Sequence, residues 1–223
     1  MTILLEELGL EYDAWLCMIM GDRPAQFGSG FTDANPNGKI PVLMDHSDCR
    51  RGAANDPIRV FESAHILLYL AEKYDTTGKF FPSDRRTRTE CMNWLFWQTS
   101  SAPYVGGGFG HFYNYAPVNY QYAIDRFTME TKRQLDVLDK QLEGKDWMCG
   151  GEGPTIADFA IFPWVRCCDV FYEAKTFLQL DSYVNVSKWC ERLEARPGVK
   201  RGLRVNGVGD DAVKERHSSA DLE

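Results

Sequence analysis

"RVFESAHILLYL", residues 59–70, changes its hydrophobic period midway, and that change decides the architecture of the first half of the chain. Arg59 to Phe61 carry the β-favouring side chains of a strand. From Ser63 onward, Ile66, Leu67, Leu70 and Ala71 recur at the spacing of one helical face, predicting a helix that runs to Tyr74 with Ser63 as its N-cap. The junction is Glu62-Ser63, an acid and a hydroxyl where a crossing through a core would be apolar or glycine-rich. Upstream, "IPVLMDH" (40–46) reads as another strand, separated from "IRVFE" by a loop from Ser47 to Pro57 that holds Arg50, Arg51 and Gly52 and is expected on the surface. Earlier still, Gly21 to Pro36 is a polar, Gly/Pro-punctuated connection with room for a short helix, and "YDAWLCMIM" (12–20) predicts a further strand. In "TILLEELGL" (2–10), Ile3, Leu4, Leu5 and Leu8 share a helical face, Glu6 and Glu7 lie outside it, and Gly9 stops it.

Downstream the text changes to "DTTGKFFPSD" (75–84), a stretch without periodicity that marks a domain boundary. Beyond it "TRTECMNWLFWQTS" (87–100), "YQYAIDRFTMETKRQLDVLDKQL" (120–142), "TIADFAIFPWVRCC" (155–168) and "NVSKWCERLEAR" (185–196) all carry helical spacing. The expected organisation is an α/β domain over residues 1–76, an all-helical bundle over 85–200 and a tail over 201–223.

Composition narrows the function. With 223 residues, 44% hydrophobic, the chain is long enough for a sizeable core. Its net charge of −7, with no segregated basic stretch, argues against a nucleic-acid partner. The longest apolar runs, such as Ala64 to Ala71, fall short of the ~20 residues a membrane span needs, and no signal peptide opens the chain. Seven cysteines, an odd number scattered without a CxxC pair, point to a reducing, cytosolic compartment. Vicinal Cys167-Cys168 reads as a redox pair or, since helical neighbours diverge by about 100°, as two buried small hydrophobes. The motifs GxxxxGK[ST], GxGxxG, HExxH and GxSxG do not occur, which implies a site without nucleotide or metal.

Four features carry chemistry, each beside a plainer reading. Pro41 enters a strand, where its missing N–H is tolerated; it is an ordinary trans proline, or a cis proline that turns the backbone of Ile40 outward toward a peptide ligand. Glu62-Ser63 is a simple cap, or a site where the helix N-terminus holds a carboxylate while the acid holds an ammonium, the head group of an α-amino acid. Thr155 with Asp158 is a capping-box pattern and reads as structural. "GGGFGHFYNYAP" (106–117) reads as a flexible aromatic segment whose Phe109, His111 and Tyr113 wall an apolar pocket; His111 is a general base or one more ring of the cluster, since no Cys or Ser partner is identifiable in the sequence.

Taken in order, "NPNGKIPVLMDH", "IRVFESAHILLYLAEKY", "MNWLFWQ", "GGGFGHFYNYAP", "YAIDRFTMETKRQLDVLDKQL" and "TIADFAIFPW" resemble the cytosolic glutathione transferases across essentially the whole chain, and within them the bacterial nu class and the yeast prion-protein-like subgroup. The resemblance implies a thioredoxin-like N-terminal domain, a glutathione-transferase-type helical domain, a homodimer, and glutathione as co-substrate with no metal. It implies that Glu62 and Ser63 hold the ammonium and carboxylate of the γ-glutamyl end, that the backbone of Ile40 before a cis Pro41 pairs with the cysteinyl part, that Lys39 meets the glycyl carboxylate and that Arg126 reaches the ligand. The implied activity is glutathione-dependent disulfide-bond reduction, with organic hydroperoxides and electrophiles as further substrates.

One departure stands out. Members of the family open with a strand and a loop that contacts the glutathione sulfur, whereas Met1-Thr2-Ile3 already lies in the following helix, so the catalytic residue is unassigned and the first strand is expected to be missing. That pattern reads as a truncated gene model or fragment. A non-catalytic glutathione-binding protein and an inactive fragment are the rival expectations.

Overall fold

The apolar stripe that opens the chain folds as α1 (Thr2–Leu8), closed by Gly9 in the left-handed conformation expected of a helix stop. In the computed structural model, which describes residues 1–19, 24–48 and 56–207, the chain divides into two compact units: Met1–Tyr74 with the chain from Pro197 onward, and Asp75–Arg196.

In the first unit a short helix, α2 (Ser29–Ala34), leads to β1 (Val42–Asp45) and β2 (Ile58–Phe61), and α3 (Ser63–Tyr74) follows at once. β1 and β2 form a two-stranded antiparallel sheet in the register Val42↔Phe61, Leu43↔Val60, Met44↔Arg59 and Asp45↔Ile58. α3 matches its predicted span, and Ala64, Ile66, Leu67, Leu70 and Ala71 are buried as its stripe requires. Ser63 is not the cap, however. It is already helical, and the residue outside the helix is Glu62, whose carbonyl accepts from the Ile66 N–H at 2.9 Å.

The strand expected over residues 12–20 does not form among the described residues. A strand needs a neighbour to share its ladder, and the sheet holds only β1 and β2 there. Trp15, Met18 and Ile19 instead stay 71%, 54% and 45% exposed, and the backbone is tied by scattered bonds: Asn206 Nδ2 donates to Trp15 O at 3.1 Å, and the Ala25 N–H to Met18 O at 2.7 Å. Arg50, Arg51 and Gly52, read as a surface loop, lie outside the described residues.

The far end of β1 is pinned to α3 by one carboxylate. Asp45 accepts from the Ser47 N–H at 2.8 Å, Tyr69 Oη at 2.7 Å, Tyr74 Oη at 3.0 Å and Lys73 Nζ at 3.0 Å. Burial alone pushes the Asp45 carboxyl up, but the Ser47, Tyr69 and Lys73 hydrogen bonds outweigh it and hold its pKa well below the ordinary carboxylate range. Because the folded value is depressed, the stabilisation is present above the unfolded carboxylate pKa of ~3.9 and is lost as pH falls below it. Urea midpoints taken at neutral pH and again near pH 3 should fall farther for the wild type than for Asp45→Asn; equal acid losses would show that this cluster does not carry the linkage.

The second unit is helical: α4 (Arg85–Pro103), a π-helix over Tyr104–Tyr115, α5 (Gln121–Gln141), α6 (Ile156–Val170), α7 (Lys175–Leu178) and α8 (Val184–Glu194). Before α4, Asp75 accepts from the N–H groups of Lys79, Phe80 and Phe81, so the aperiodic stretch is an ordered turn. α9 (Pro197–Arg204) belongs to the first unit. It packs on α1, where Thr2 Oγ1 donates to Gly202 O and Arg201 Nε to Glu6 Oε2, each at 2.9 Å. Two expectations change with it. Glu6 is buried under Arg201 instead of lying outside, and Arg201–Arg204, expected in the tail, complete this helix.

The segment read as a flexible aromatic loop is the π-helix. Pro103 withholds an N–H where α4 ends, and the glycines that follow allow the wider turn and admit rings against the backbone. A methyl group at Gly110 would overlap Tyr172, and Phe109 is fully buried with Val105, Cys168, Tyr172 and Leu178. Gly110→Ala is therefore expected to destabilise the helical unit by about 1–3 kcal/mol through overpacking, read as a lower thermal midpoint. An unchanged midpoint would mean that Tyr172 moves aside freely.

Candidate functional site

One end of the β1–β2 hairpin collects the residues singled out in the first unit. Pro41 directly precedes Val42 and Glu62 directly follows Phe61, and Val42 and Phe61 are paired, so the two junctions emerge side by side from the same end of the ladder. Both are unusual. The Ile40-Pro41 peptide bond is cis, the alternative that spacing alone left open, and Glu62 has φ 70°, a left-handed conformation costly for a residue with a side chain. Ile40 is 47% exposed and Glu62 is exposed, while Ser63 behind it is half-buried.

Glu62 stands at the start of α3, where the first-turn N–H groups have no intrahelical partners and the dipole end is positive. A ligand carboxylate laid on that terminus meets N–H donors and the Ser63 hydroxyl; a ligand ammonium beside it meets the Glu62 carboxylate. The groups suit a zwitterionic amino-acid head. The exposed edge at Ile40, next to a proline that makes no ladder bond, offers backbone N–H and C=O to an extended peptide.

Two asparagines complete the arrangement, and residue-by-residue reasoning missed them. Asn35, 1% exposed, donates from Nδ2 to Lys39 O at 2.6 Å and accepts on Oδ1 from the Asn37 N–H at 3.0 Å. Asn37 Nδ2 reaches Glu62 Oε1 at 3.5 Å. The turn that carries Lys39 and Ile40 is thus braced from within and touches the acid across the hairpin. The signal was the Asn-Pro-Asn-Gly composition of residues 35–38, a turn signature whose Asx side chains bond the local backbone. Arg59 Nη1 adds a bond to Asp33 O at 2.7 Å that ties β2 to the end of α2. Lys39 itself is exposed.

The remaining candidates lie in the second unit. Arg126, on α5, is half-exposed with Nη1 3.9 Å from Glu130 Oε2. Tyr113 stacks on Phe109 at 4.9 Å between ring centroids, and His111 is exposed with its ring edge-on to Phe112. Phe109 does not wall a pocket as expected: its side chain is spent on the core of the helical unit and has no face left for a ligand.

The Thr155/Asp158 motif is structural, as read. Asp158, fully buried, accepts from the Thr155 N–H at 2.8 Å and Thr155 Oγ1 at 3.0 Å, closing the capping box of α6, and also from the Met148 N–H at 2.9 Å and Trp189 Nε1 at 2.8 Å. No helix among the described residues is long and apolar enough to cross a membrane.

Residues 1–73 match the glutathione S-transferase N-terminal domain and residues 121–192 the glutathione S-transferase C-terminal domain. The whole chain is 53% identical to the disulfide-bond oxidoreductase YghU of Escherichia coli (strain K12), covering 77% of that protein. Among solved structures, a glutathione transferase YghU from Streptococcus pneumoniae complexed with glutathione aligns over 93% of this chain and 78% of its own, with 49% identity and a TM-score of 0.83. A glutathione transferase from Pseudomonas putida, with one glutathione disulfide bound per subunit, aligns over 92% of this chain and 86% of its own, with 35% identity and a TM-score of 0.80.

Proposed function

The chain belongs to the glutathione S-transferase family, and from that premise we propose that it is a glutathione-dependent disulfide-bond reductase that holds the tripeptide at the hairpin end described above. The observation that carries this reading is the convergence of an exposed Ile40 and an exposed, left-handed Glu62 on one end of a two-stranded ladder. In this reading Glu62 binds the γ-glutamyl ammonium, Ser63 and the α3 N-terminus bind its carboxylate, the Ile40 backbone pairs with the cysteinyl residue and Lys39 meets the glycyl carboxylate. Anchoring both ends leaves the thiol fixed between them for attack, so orientation is what the chain contributes to the reaction.

The chemistry is thiol–disulfide exchange. A glutathione thiolate attacks one sulfur of the substrate disulfide and expels the other as a thiolate. A second glutathione then attacks the mixed disulfide, giving the reduced substrate and glutathione disulfide, with the two thiol protons of glutathione passing to the products. The relative from Pseudomonas putida binds glutathione disulfide, the product of this sequence. The finer assignments rest on the sequence resemblance: membership of the nu class, a cytosolic homodimer, organic hydroperoxides and electrophiles as additional substrates, and Arg126, His111 and Tyr113 as contributors from the helical unit.

A coupled assay with glutathione, glutathione reductase, NADPH and hydroxyethyl disulfide tests the proposal. The expected result is protein-dependent NADPH oxidation that saturates with glutathione. Retention on immobilised glutathione without turnover would overturn the enzymatic reading in favour of a binding protein, and failure of both would indicate an inactive fragment.

A further inference from the structure

Away from the hairpin, the helical unit contains a small cavity of about 30 Å³ between α4, α5 and α6, with Gln98 and Ser101 of α4, Thr131 and Gln134 of α5, and Ile161 and Trp164 of α6 in its walls. Two polar atoms of those walls stand out. Gln98 Oε1 and Thr131 Oγ1 belong to residues only 4% and 1% exposed, and neither meets a hydrogen-bond partner among the described residues. The polar group beside them is paired: Gln134 Nε2 crosses from α5 to donate to Ser101 O at 3.2 Å and also reaches Glu130 Oε1, on its own helix, at 3.3 Å.

The Thr131 hydroxyl is the more telling of the two. A threonine inside a helix can spend its hydroxyl on a carbonyl three or four residues back, as Thr89 does on Arg85 O at 2.7 Å and Thr99 on Phe96 O at 2.8 Å. Thr131 makes no such bond, so its one hydrogen remains to be donated into the space it lines. Gln98 Oε1 brings the opposite need, an acceptor that wants a hydrogen. Buried polar atoms in folded proteins are seldom left unmatched, and where no protein group reaches them an ordered water does the matching.

Size and chemistry select the occupant. The volume exceeds the ~10–15 Å³ that one water requires and is too small for an organic ligand. None of the described residues lining it is charged, so it offers no match to a metal ion or an anion. One donor and one acceptor facing a water-sized space are complementary to a molecule that accepts one hydrogen and donates another.

We propose that this cavity is a site for one ordered water that accepts from Thr131 Oγ1 and donates to Gln98 Oε1, bridging α5 to α4 beside the Gln134–Ser101 bond. The bridge satisfies both buried atoms and makes the packing of these two helices depend on a bound solvent molecule. It uses none of the hairpin residues, so it stands or falls independently of the glutathione-binding site.

The test is a crystal structure of the full-length protein at a resolution that shows ordered water, paired with thermal unfolding of Thr131→Val, which keeps the size of the side chain and removes its hydroxyl. The expected result is a single compact density peak within hydrogen-bond distance of both Gln98 Oε1 and Thr131 Oγ1. Thr131→Val should lower the thermal midpoint by about 2–4 °C, the scale of one hydrogen bond in a chain of this length. Featureless density in the wild-type cavity would overturn the proposal. So would a Thr131→Val midpoint equal to or above that of the wild type, because removing an unmatched buried hydroxyl relieves a cost instead of breaking a bond. The wild-type density decides even if the variant fails to fold.

Discussion

Asp158→Ala is expected to lower the stability of the protein by about 3–5 kcal/mol, seen as a large drop in the urea midpoint followed by circular dichroism. The substitution removes the acceptor for three separate elements at once: the Thr155 N–H at the start of α6, the Met148 N–H in the preceding turn and Trp189 Nε1 on α8. Each buried donor left without a partner costs about 1–3 kcal/mol, and such losses within one network do not add fully. Trp189 is itself fully buried, packing edge-on against Phe162 at 6.0 Å, so water cannot replace the lost acceptor without opening the core. Asp158→Asn keeps the shape and one acceptor oxygen but turns an NH2 toward donors, and should fall between the wild type and alanine. A midpoint within about 1 kcal/mol of wild type for Asp158→Ala would show that the capping box does not hold this unit together.

Glu62→Gln should weaken glutathione binding by about 1.5–3 kcal/mol, the scale of a hydrogen bond to a charged group, or roughly 10- to 150-fold in dissociation constant. The loss is specific to charge, because glutamine preserves length and can still accept from Asn37 Nδ2, which lies 3.5 Å from Glu62 Oε1. Folding should be little affected, since Glu62 is exposed and its structural contribution to α3 is made by its carbonyl, which accepts from the Ile66 N–H. Calorimetric titration measures the difference directly. Equal affinity for both proteins would mean that the ammonium is bound elsewhere.

What could be read in the sequence was whatever local pattern alone determines. The stripe of Ile66, Leu67, Leu70 and Ala71 set α3 because a helix needs only its own residues to satisfy its ladder, and Thr155 with Asp158 predicted a cap because both partners lie within one turn. Where the outcome depended on distant partners, the reading failed. Residues 12–20 have strand composition, yet a strand exists only where another pairs with it. Glu6 was placed outside α1 because Arg201, which pairs with it, comes 195 positions later. "RGLR" (201–204) was placed in a tail because the chain from Arg201 on has few apolar residues, but Pro197 is a sound first helical residue, and Val199, Gly202 and Val205 are buried in the first unit.

The site was legible to a similar degree. Glu62, Ser63 and Pro41 attracted notice as wrong chemistry for a core crossing, while the conformations that give them meaning, a cis bond and a positive φ, are not encoded by residue type alone. Phe109 was misread for the opposite reason. An aromatic residue among glycines looks like the lining of a loop until Tyr172 and Leu178, from a later part of the chain, close over it.

The most direct measurement of the central claim is a crystal structure of the full-length protein grown with glutathione. One glutathione is expected extended along Ile40-Pro41, with its γ-glutamyl ammonium on Glu62 and its α-carboxylate on Ser63 and the α3 N-terminus. Glutathione bound with that head group elsewhere, or a hairpin end left without ligand at saturating glutathione, would contradict it.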